Sequence, residues 1–414
     1  MRFLHLADLH FGKSIYGTSL LENGDQGFWV DRFLKLAEEL RPDAVVIAGD
    51  VYDRSAPSGD AVELLSRMLT RLSALQIPVM LCAGNHDSVQ RLSFAGTLLA
   101  REGVHISGSL YDDPVLSHVT LKDEHGPVTF WLMPYVFPAL IAGALGDESL
   151  RTGDAAVRAL LAVQPIDFSQ RNVLIAHQNV TANGAEGERG GSESMVGGVG
   201  QIDYTVFDGF DYVALGHIHA AYPVGRETVR YAGTPLCYHF NETRQPAKGP
   251  VLVELGEKGE PVKIETLVIP PLHPMREIRG GYEEIREAEL NDPRRGEYLR
   301  IALTDRRVSP EIAAFFRELY AGRDSVLMEL CSDYTQFPGE AGALSRGDVE
   351  QKSTETLFAD FFTERSGGEP PADEDAALLA HAGELLHLAD PHTMPDARDV
   401  EKLLAYLTRQ EAGK

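Results

Sequence analysis

The chain has 414 residues, 43% hydrophobic and 24% charged, which excludes global disorder and leaves room for two or three domains. Its 38 lysines and arginines against 62 aspartates and glutamates give a net charge of −24, so nothing in the overall field attracts a polyanion, and any nucleic-acid contact must draw on bound cations or a basic partner. No apolar run reaches 18 residues, and Cys82, Cys237 and Cys331 are widely spaced without a CxxC pair; a cytoplasmic protein with reduced thiols is expected, without membrane span, disulfide framework or thiolate zinc site.

In chain order, MRFLHLADLH reads as a strand over residues 3–6 that runs into Asp8 and His10, and not as a signal peptide. A helical pattern follows over 28–40, with Phe33, Leu36, Ala37 and Leu40 on one face. The strand 44–47 ends in AGDVYD with Asp50 and Asp53, and AVELLSRMLTRLSAL forms a second helical pattern before Pro78. Residues 79–81 lead to CAGNHD, with Asn85, His86 and Asp87. Further strands are predicted at 129–132, 173–175 and 212–215; the last two end in AHQ, with His177, and GHIH, with His217 and His219. Strands alternating with helices predict an α/β fold whose sheet is buried between helices.

The Gly-, Ser- and Glu-rich stretch 181–201 reads as one long loop, and VIPPLHPM at 268–275 as a boundary linker. Beyond it a small α+β domain is expected to about 335. A polar, acidic region follows, with helix-like segments at TETLFADFFTERSG, 374–388 and 398–411. In the first of these Leu357, Phe358, Phe361 and Phe362 recur at helical spacing, a stripe that serves either its own core or a docked partner.

Each polar strand end has a local explanation, since Asp and Asn cap helices and Gly49, Gly84 and Gly216 suit turns. Five such ends in order, all bearing oxygen or imidazole donors, point instead to one site at the carboxyl edge of the strands. In GHIH an extended backbone turns His217 and His219 to one side and Ile218 to the other. Asp8, His10, Asp50, Asn85, His177, His217 and His219 make seven donors, enough for two divalent cations that share a carboxylate. The mixed carboxylate, amide and imidazole set suits manganese or iron, admits zinc, and disfavours magnesium.

The series Asp-x-His, Gly-Asp, Gly-Asn-His-Asp, His, Gly-His-x-His resembles the calcineurin-like metallophosphoesterase superfamily. That resemblance implies a sandwich of two β-sheets flanked by helices, with Asp8, His10, Asp50 and His219 on one metal and Asp50, Asn85, His177 and His217 on the other, Asp50 bridging. It further implies that His86 stabilises the transition state or protonates the leaving oxygen, with Asp87 orienting its ring. MRFLHLADLHFGK, GDVYDRSAPS, the Gly-rich loop before FDGFDYVALGHIH, and YAGTPLCYHFNE are similar to the SbcD-type nuclease subunits, bacterial counterparts of the double-strand-break repair nuclease. This likeness implies a nuclease domain over 1–270, a capping domain over 271–335, and a helical region over 336–414 that docks on the coiled-coil base of an SbcC-like ATPase. It implies 3′ to 5′ exonuclease activity on duplex DNA ends, endonuclease activity on single strands or hairpins, and a homodimer within a heterotetramer at the nucleoid, serving DNA repair, recombination and replication. Two other readings compete. GDVYDR is similar to a phosphatase form, although Ser55 stands where that form has Gly, and a small-molecule or cyclic-nucleotide phosphodiesterase would use the same metals. A non-catalytic scaffold tethering an ATPase to DNA ends would show a degenerate site, whereas every expected ligand position is filled.

Overall fold

The computed structural model describes residues 1–111, 113–182, 200–245 and 248–333. The chain divides into Met1–Tyr334 and Thr335–Lys414. The expected tail helices, and the loop 181–201 except for its two ends, lie outside the described residues.

Two six-stranded sheets form the centre. The first runs Lys263–Thr266, Val251–Glu254, Arg2–Leu6, Ala44–Ala48, Val79–Cys82, Val104–Ile106; its last four strands are parallel and the first two add antiparallel. The second runs Pro223–Val224, Arg226–Tyr231, Tyr212–Gly216, Arg171–His177, Gly126–Met133, Ser117–Asp123, with four parallel central strands and antiparallel edges. Strands such as AVVIA and RNVLIAH are buried along their whole length, as a parallel sheet covered on both faces requires.

The period of two sorts each strand's side chains between layers. Phe3, Ala44, Val46, Ala48, Met80 and Cys82 meet Val128, Phe130, Leu132, Val173, Ile175, Tyr212 and Ala214 between the sheets. Leu4, Leu6, Val45, Ile47, Val79 and Leu81 point the other way, onto the helices Asp25–Leu40 and Gly59–Ala74. Leu174, Ala176, Val213 and Leu215 likewise face Gly153–Ala162, which contributes Ala156, Val157 and Leu160. Ser58 and Thr152 cap the helices Gly59–Ala74 and Gly153–Ala162 by accepting from Ala61 and Ala155 N–H at 3.3 and 3.2 Å. All six expected strands are present. The edge strands Ser117–Asp123 and Lys263–Thr266 escaped the sequence pattern because they alternate with exposed polar residues.

Beyond the sandwich, Met275–Gly280, Tyr298–Leu303 and Val326–Ser332 form a third, wholly parallel sheet. Tyr282–Leu290 and Pro310–Ala321 occupy its crossovers and pack Ile285, Ile312, Phe316 and Tyr320 against Leu299, Ile301 and Leu303. It leans on the sandwich through buried Asp25, whose carboxylate accepts from Tyr298 OH at 2.6 Å and pairs with His273 Nδ1 at 2.9 Å. Cys82, Cys237 and Cys331 are all free thiols. No helix among the described residues is long and apolar enough to cross a membrane.

Candidate metal centre

The carboxyl ends of both sheets converge on one cluster. The loops after Arg2–Leu6 and Ala44–Ala48 are laced by backbone bonds: Asp8 N–H to Gly49 C=O at 3.0 Å, His10 N–H to Asp50 C=O at 2.9 Å, and Phe11 N–H to Val51 C=O at 2.9 Å. Buried Gln26 ties the first loop from the helix side, donating to His10 C=O at 2.8 Å and accepting from Gly12 N–H at 2.9 Å. From the second sheet, His217 N–H reaches both carboxylate oxygens of Asp8 at 3.1 Å. Four of the nine described non-glycine residues with positive φ are expected ligands: Asp8 (52°), His10 (42°), Asp50 (47°) and His217 (104°). Backbone held in sparsely populated conformations at a side-chain cluster is characteristic of functional sites.

Three strand-end glycines permit the convergence: a Cβ at Gly49 would lie 2.4 Å from His177 Nδ1. A Cβ at Gly84 would lie 2.1 Å from Asp50 Oδ1, and one at Gly216 would lie 1.9 Å from the Ala48 carbonyl oxygen. These are packing requirements, which turn chemistry alone does not disclose.

The donors fall into overlapping groups whose ligand atoms all lie within 4.8 Å of one another: Asp8, His10 and His219; Asp8, Asp50 and His177; and His10, Asp50 and His86. Asn85 Oδ1 stands 3.1 Å from both His177 Nε2 and His217 Nδ1. Asp50 Oδ2 lies 3.6 Å from His10 Nε2 and 3.4 Å from His177 Nε2, central to both halves. His10 is 1% exposed, yet neither ring nitrogen has a hydrogen-bond partner. A buried imidazole left without hydrogen bonds is destabilising; a cation at the cluster removes that penalty, and the donor set fits two. All seven expected ligands are thus brought together. Asn85 is exposed and His86 half-buried, while the others are buried, so that edge faces solvent.

Electrostatics agree with a cation site. Burial pushes Asp8 up to about 7, against the pull of His177 and His219. Burial opposes ionisation of Asp50 too, but the charge and hydrogen bond of His177 hold its carboxyl well below the usual range. His177 is correspondingly raised to about 9, burial being outweighed by Asp50. Burial drives His10 well down, and His217 to about 3, leaving both rings neutral with a lone pair to give. The Asp50 carboxylate thus sits at the point of the cluster that favours positive charge, 3.4 Å from His177 Nε2.

The expectation for Asp87 needs correction. Its carboxylate accepts from the backbone N–H groups of Gly84 (2.9 Å), Val51 (3.1 Å) and Tyr52 (3.0 Å), stapling two site loops together. His86 Nδ1 instead donates to the Asp53 carbonyl at 2.9 Å. Adjacency in sequence suggested the first arrangement; the turn at Gly84 sends the two side chains to different partners. The Asp53 carboxylate pairs with Lys13 at 2.8 Å. Sequence reasoning gave no role to Tyr238, whose hydroxyl donates to Leu9 C=O at 2.6 Å and whose ring edges onto His10 and His219, nor to Glu242 behind His219. The stretch YAGTPLCYHFNE was the signal for both.

A family model described as calcineurin-like phosphoesterase matches residues 1–221, a span that holds all five motifs. A second, described as type 5 capsule protein repressor C-terminal domain, matches residues 271–366. The SbcD subunit of the nuclease SbcCD of Staphylococcus saprophyticus is 28% identical over 372 residues, 89% of this chain and 94% of that one. Its namesake in Staphylococcus epidermidis is 31% identical over 313 residues, 74% of this chain and 79% of that one. The crystal structure of TT1561 of Thermus thermophilus aligns with a TM-score of 0.28 at 13% identity, over 45% of this chain and 71% of that one, too loosely to bear on the fold. The chain belongs to the calcineurin-like phosphoesterase family, within its SbcD branch of metal-dependent nucleases.

Proposed function

We propose that the protein is the DNA nuclease subunit of an SbcCD-like complex, hydrolysing phosphodiester bonds at a two-cation site. Asp8, His10, Asp50 and His219 hold one ion, and Asp50, Asn85, His177 and His217 hold the other, manganese being the ion best suited to these donors. The observation that carries the reading is His10, buried beside Asp8, Asp50 and His219 with neither ring nitrogen in a hydrogen bond, the nearest carboxylates of Asp50 and Asp53 standing 3.6 Å away. Two divalent cations, when bound, supply the charge that acidifies a water near neutral pH and neutralises phosphate oxygens.

The chain's own groups do the rest. Asp53 C=O fixes Nδ1 of His86 as the donor to it, so Nε2, 3.9 Å from Asp50 Oδ2, addresses the site from its open side. There His86, acting as the imidazolium with Nδ1–H held by Asp53 C=O, donates its second proton from Nε2 to a phosphate oxygen in the transition state and passes it to the departing sugar oxygen, leaving the ring neutral at Nε2. A water supplies the new P–O bond, giving a phosphate monoester and a free hydroxyl. Asp87 acts through the loops it staples. We assign 3′ to 5′ exonuclease activity to duplex ends and endonuclease activity to single strands and hairpins, with residues 336–414 docking the SbcC-like ATPase and a nuclease homodimer at the centre. With a net charge of −24, the isolated chain binds DNA weakly, and the cations and the partner supply most of the attraction.

The test is hydrolysis of end-labelled duplex DNA with manganese, with chelator, and in His86→Ala, beside a chromogenic phosphodiester. Manganese-dependent shortening that falls about 10²- to 10⁴-fold in His86→Ala is the expected result. Cleavage of the small ester alone, with the ATPase partner present, would move the assignment to a small-molecule phosphodiesterase.

A further inference from the structure

The stretch YAGTPLCYHFNE starts at Tyr231, whose hydroxyl ties the backbone after His177 at Gln178 and Val180, and then wraps beneath His219. Strand Arg226–Tyr231 delivers it alongside Tyr212–Gly216, and Thr234 N–H donates to His219 C=O at 3.1 Å. Glu242, 1% exposed, then lies behind His219, with Oε1 3.5 Å from the ring's Nδ1. Its other oxygen accepts from Tyr238 N–H at 3.2 Å and Thr234 Oγ1 at 3.3 Å, and pairs with Lys248 Nζ at 2.9 Å. Lys248 also donates to His219 C=O at 2.9 Å and Thr234 Oγ1 at 2.6 Å, bracing the backbone of the same histidine. A few residues earlier in the loop, Tyr238 reaches Leu9 C=O and packs on His10. The loop therefore supports His10 and His219 together.

The other half is backed differently. His177 Nδ1 leans on a neutral group, the Ala48 carbonyl, at 2.8 Å. A carboxylate that accepts from the far nitrogen of a ligating imidazole fixes its tautomer and makes the near nitrogen a stronger base than a carbonyl does. Lys248 Nζ, 2.9 Å from Glu242 Oε2, offsets the cost of burying that carboxylate behind the ring.

We infer that Glu242, braced by Lys248, is a positioning residue that aims His219 Nε2 at Asp8 and His10, so that the ion held there binds more tightly than the ion at Asn85, His177 and His217. This rests on the two-cation reading above. It gives the two ions distinct roles by affinity: one stays resident while the other exchanges with the medium.

Manganese titration of the full-length protein, followed by the loss of the free-ion paramagnetic signal, separates the possibilities without measuring catalysis. Wild type is expected to bind two ions with different affinities. Glu242→Gln should weaken the tighter one about ten- to a hundredfold and leave the other unchanged. Should that variant fail to fold, Glu242→Asp, which keeps the charge but withdraws it from Nδ1, is read by the same criterion. Two equal sites in wild type, or variants in which both ions weaken alike or neither does, would overturn the inference. Fewer than two ions in wild type would instead remove the two-cation reading itself, and this inference with it.

Discussion

The sheet containing Arg2–Leu6 brings Asp8, His10, Asp50, Asn85 and His86 to the seam, whereas the sheet containing Arg171–His177 brings His177, His217 and His219 and no carboxylate among the described ligand candidates. One half supplies the negative charge; the other supplies imidazole donors and encloses the cluster. Neither half alone offers both charge and enough donors for two divalent ions. The site is a property of the sandwich interface, and the bond from His217 N–H to Asp8 shows how directly the halves depend on each other.

The largest effect expected from this asymmetry is at Asp50. Asp50→Asn removes the charge nearest both halves, and Mn-dependent DNA hydrolysis should fall well over a hundredfold, since losing even an outer-sphere partner of a metal site costs ten- to a hundredfold. Both ions should weaken in a manganese titration, whereas His217→Asn should weaken only one. Retention of two tight ions in Asp50→Asn would break the comparison. A smaller effect is expected at Asp87. Asp87→Ala leaves the N–H groups of Gly84, Val51 and Tyr52 without their acceptor, a loss of about 1–3 kcal/mol for each that stays shielded from water. The variant should melt several degrees lower, while His86→Ala should melt with wild type and lose only activity. An unchanged melting temperature for Asp87→Ala would return that residue to a catalytic role.

The smallest effect tests the seam away from the cluster. His5 lies between the sheets, its ring nitrogens 3.1 Å from Tyr212 OH and 3.2 Å from Leu215 C=O. Burial lowers its pKa to about 3, while an unfolded histidine titrates near 6.5. Between those values the unfolded chain holds the extra proton, so this contribution is complete above about pH 6.5 and is lost as pH falls toward 3. Denaturant unfolding of wild type should weaken with acid more steeply than that of His5→Gln, by at most about 1.4 kcal/mol per pH unit. Parallel slopes would show that His5 does not sense the seam.

Much of this was legible in the sequence, for a physical reason. Strands buried on both faces are continuous apolar runs, and polar residues at their carboxyl ends have few structural uses that recur five times in order. The seven donors could therefore be named, and they meet in space. What escaped is held by partners far apart in the chain. Glu242 answers to His219 and Lys248, Tyr238 to Leu9, and Gln26 to His10, and no local periodicity marks such pairs. Asp87 was misread because neighbours in sequence were taken for partners in space. The small residues at 84 and 216 looked like turn formers, since the distance of closest approach between loops is invisible before the fold exists.

The four ligand candidates held at positive φ carry a consequence for how the protein ages and fails. Each such residue lies above its relaxed backbone by roughly 1–3 kcal/mol, and the laced loops and the packed sheets keep it there. Relaxing those loops releases that energy while leaving the apolar layers intact, so the cluster gains from loosening while the layers do not. Heat or chelation should therefore disarm the protein while its sheets are still whole, and a preparation that looks folded by circular dichroism can already have lost its capacity to cut.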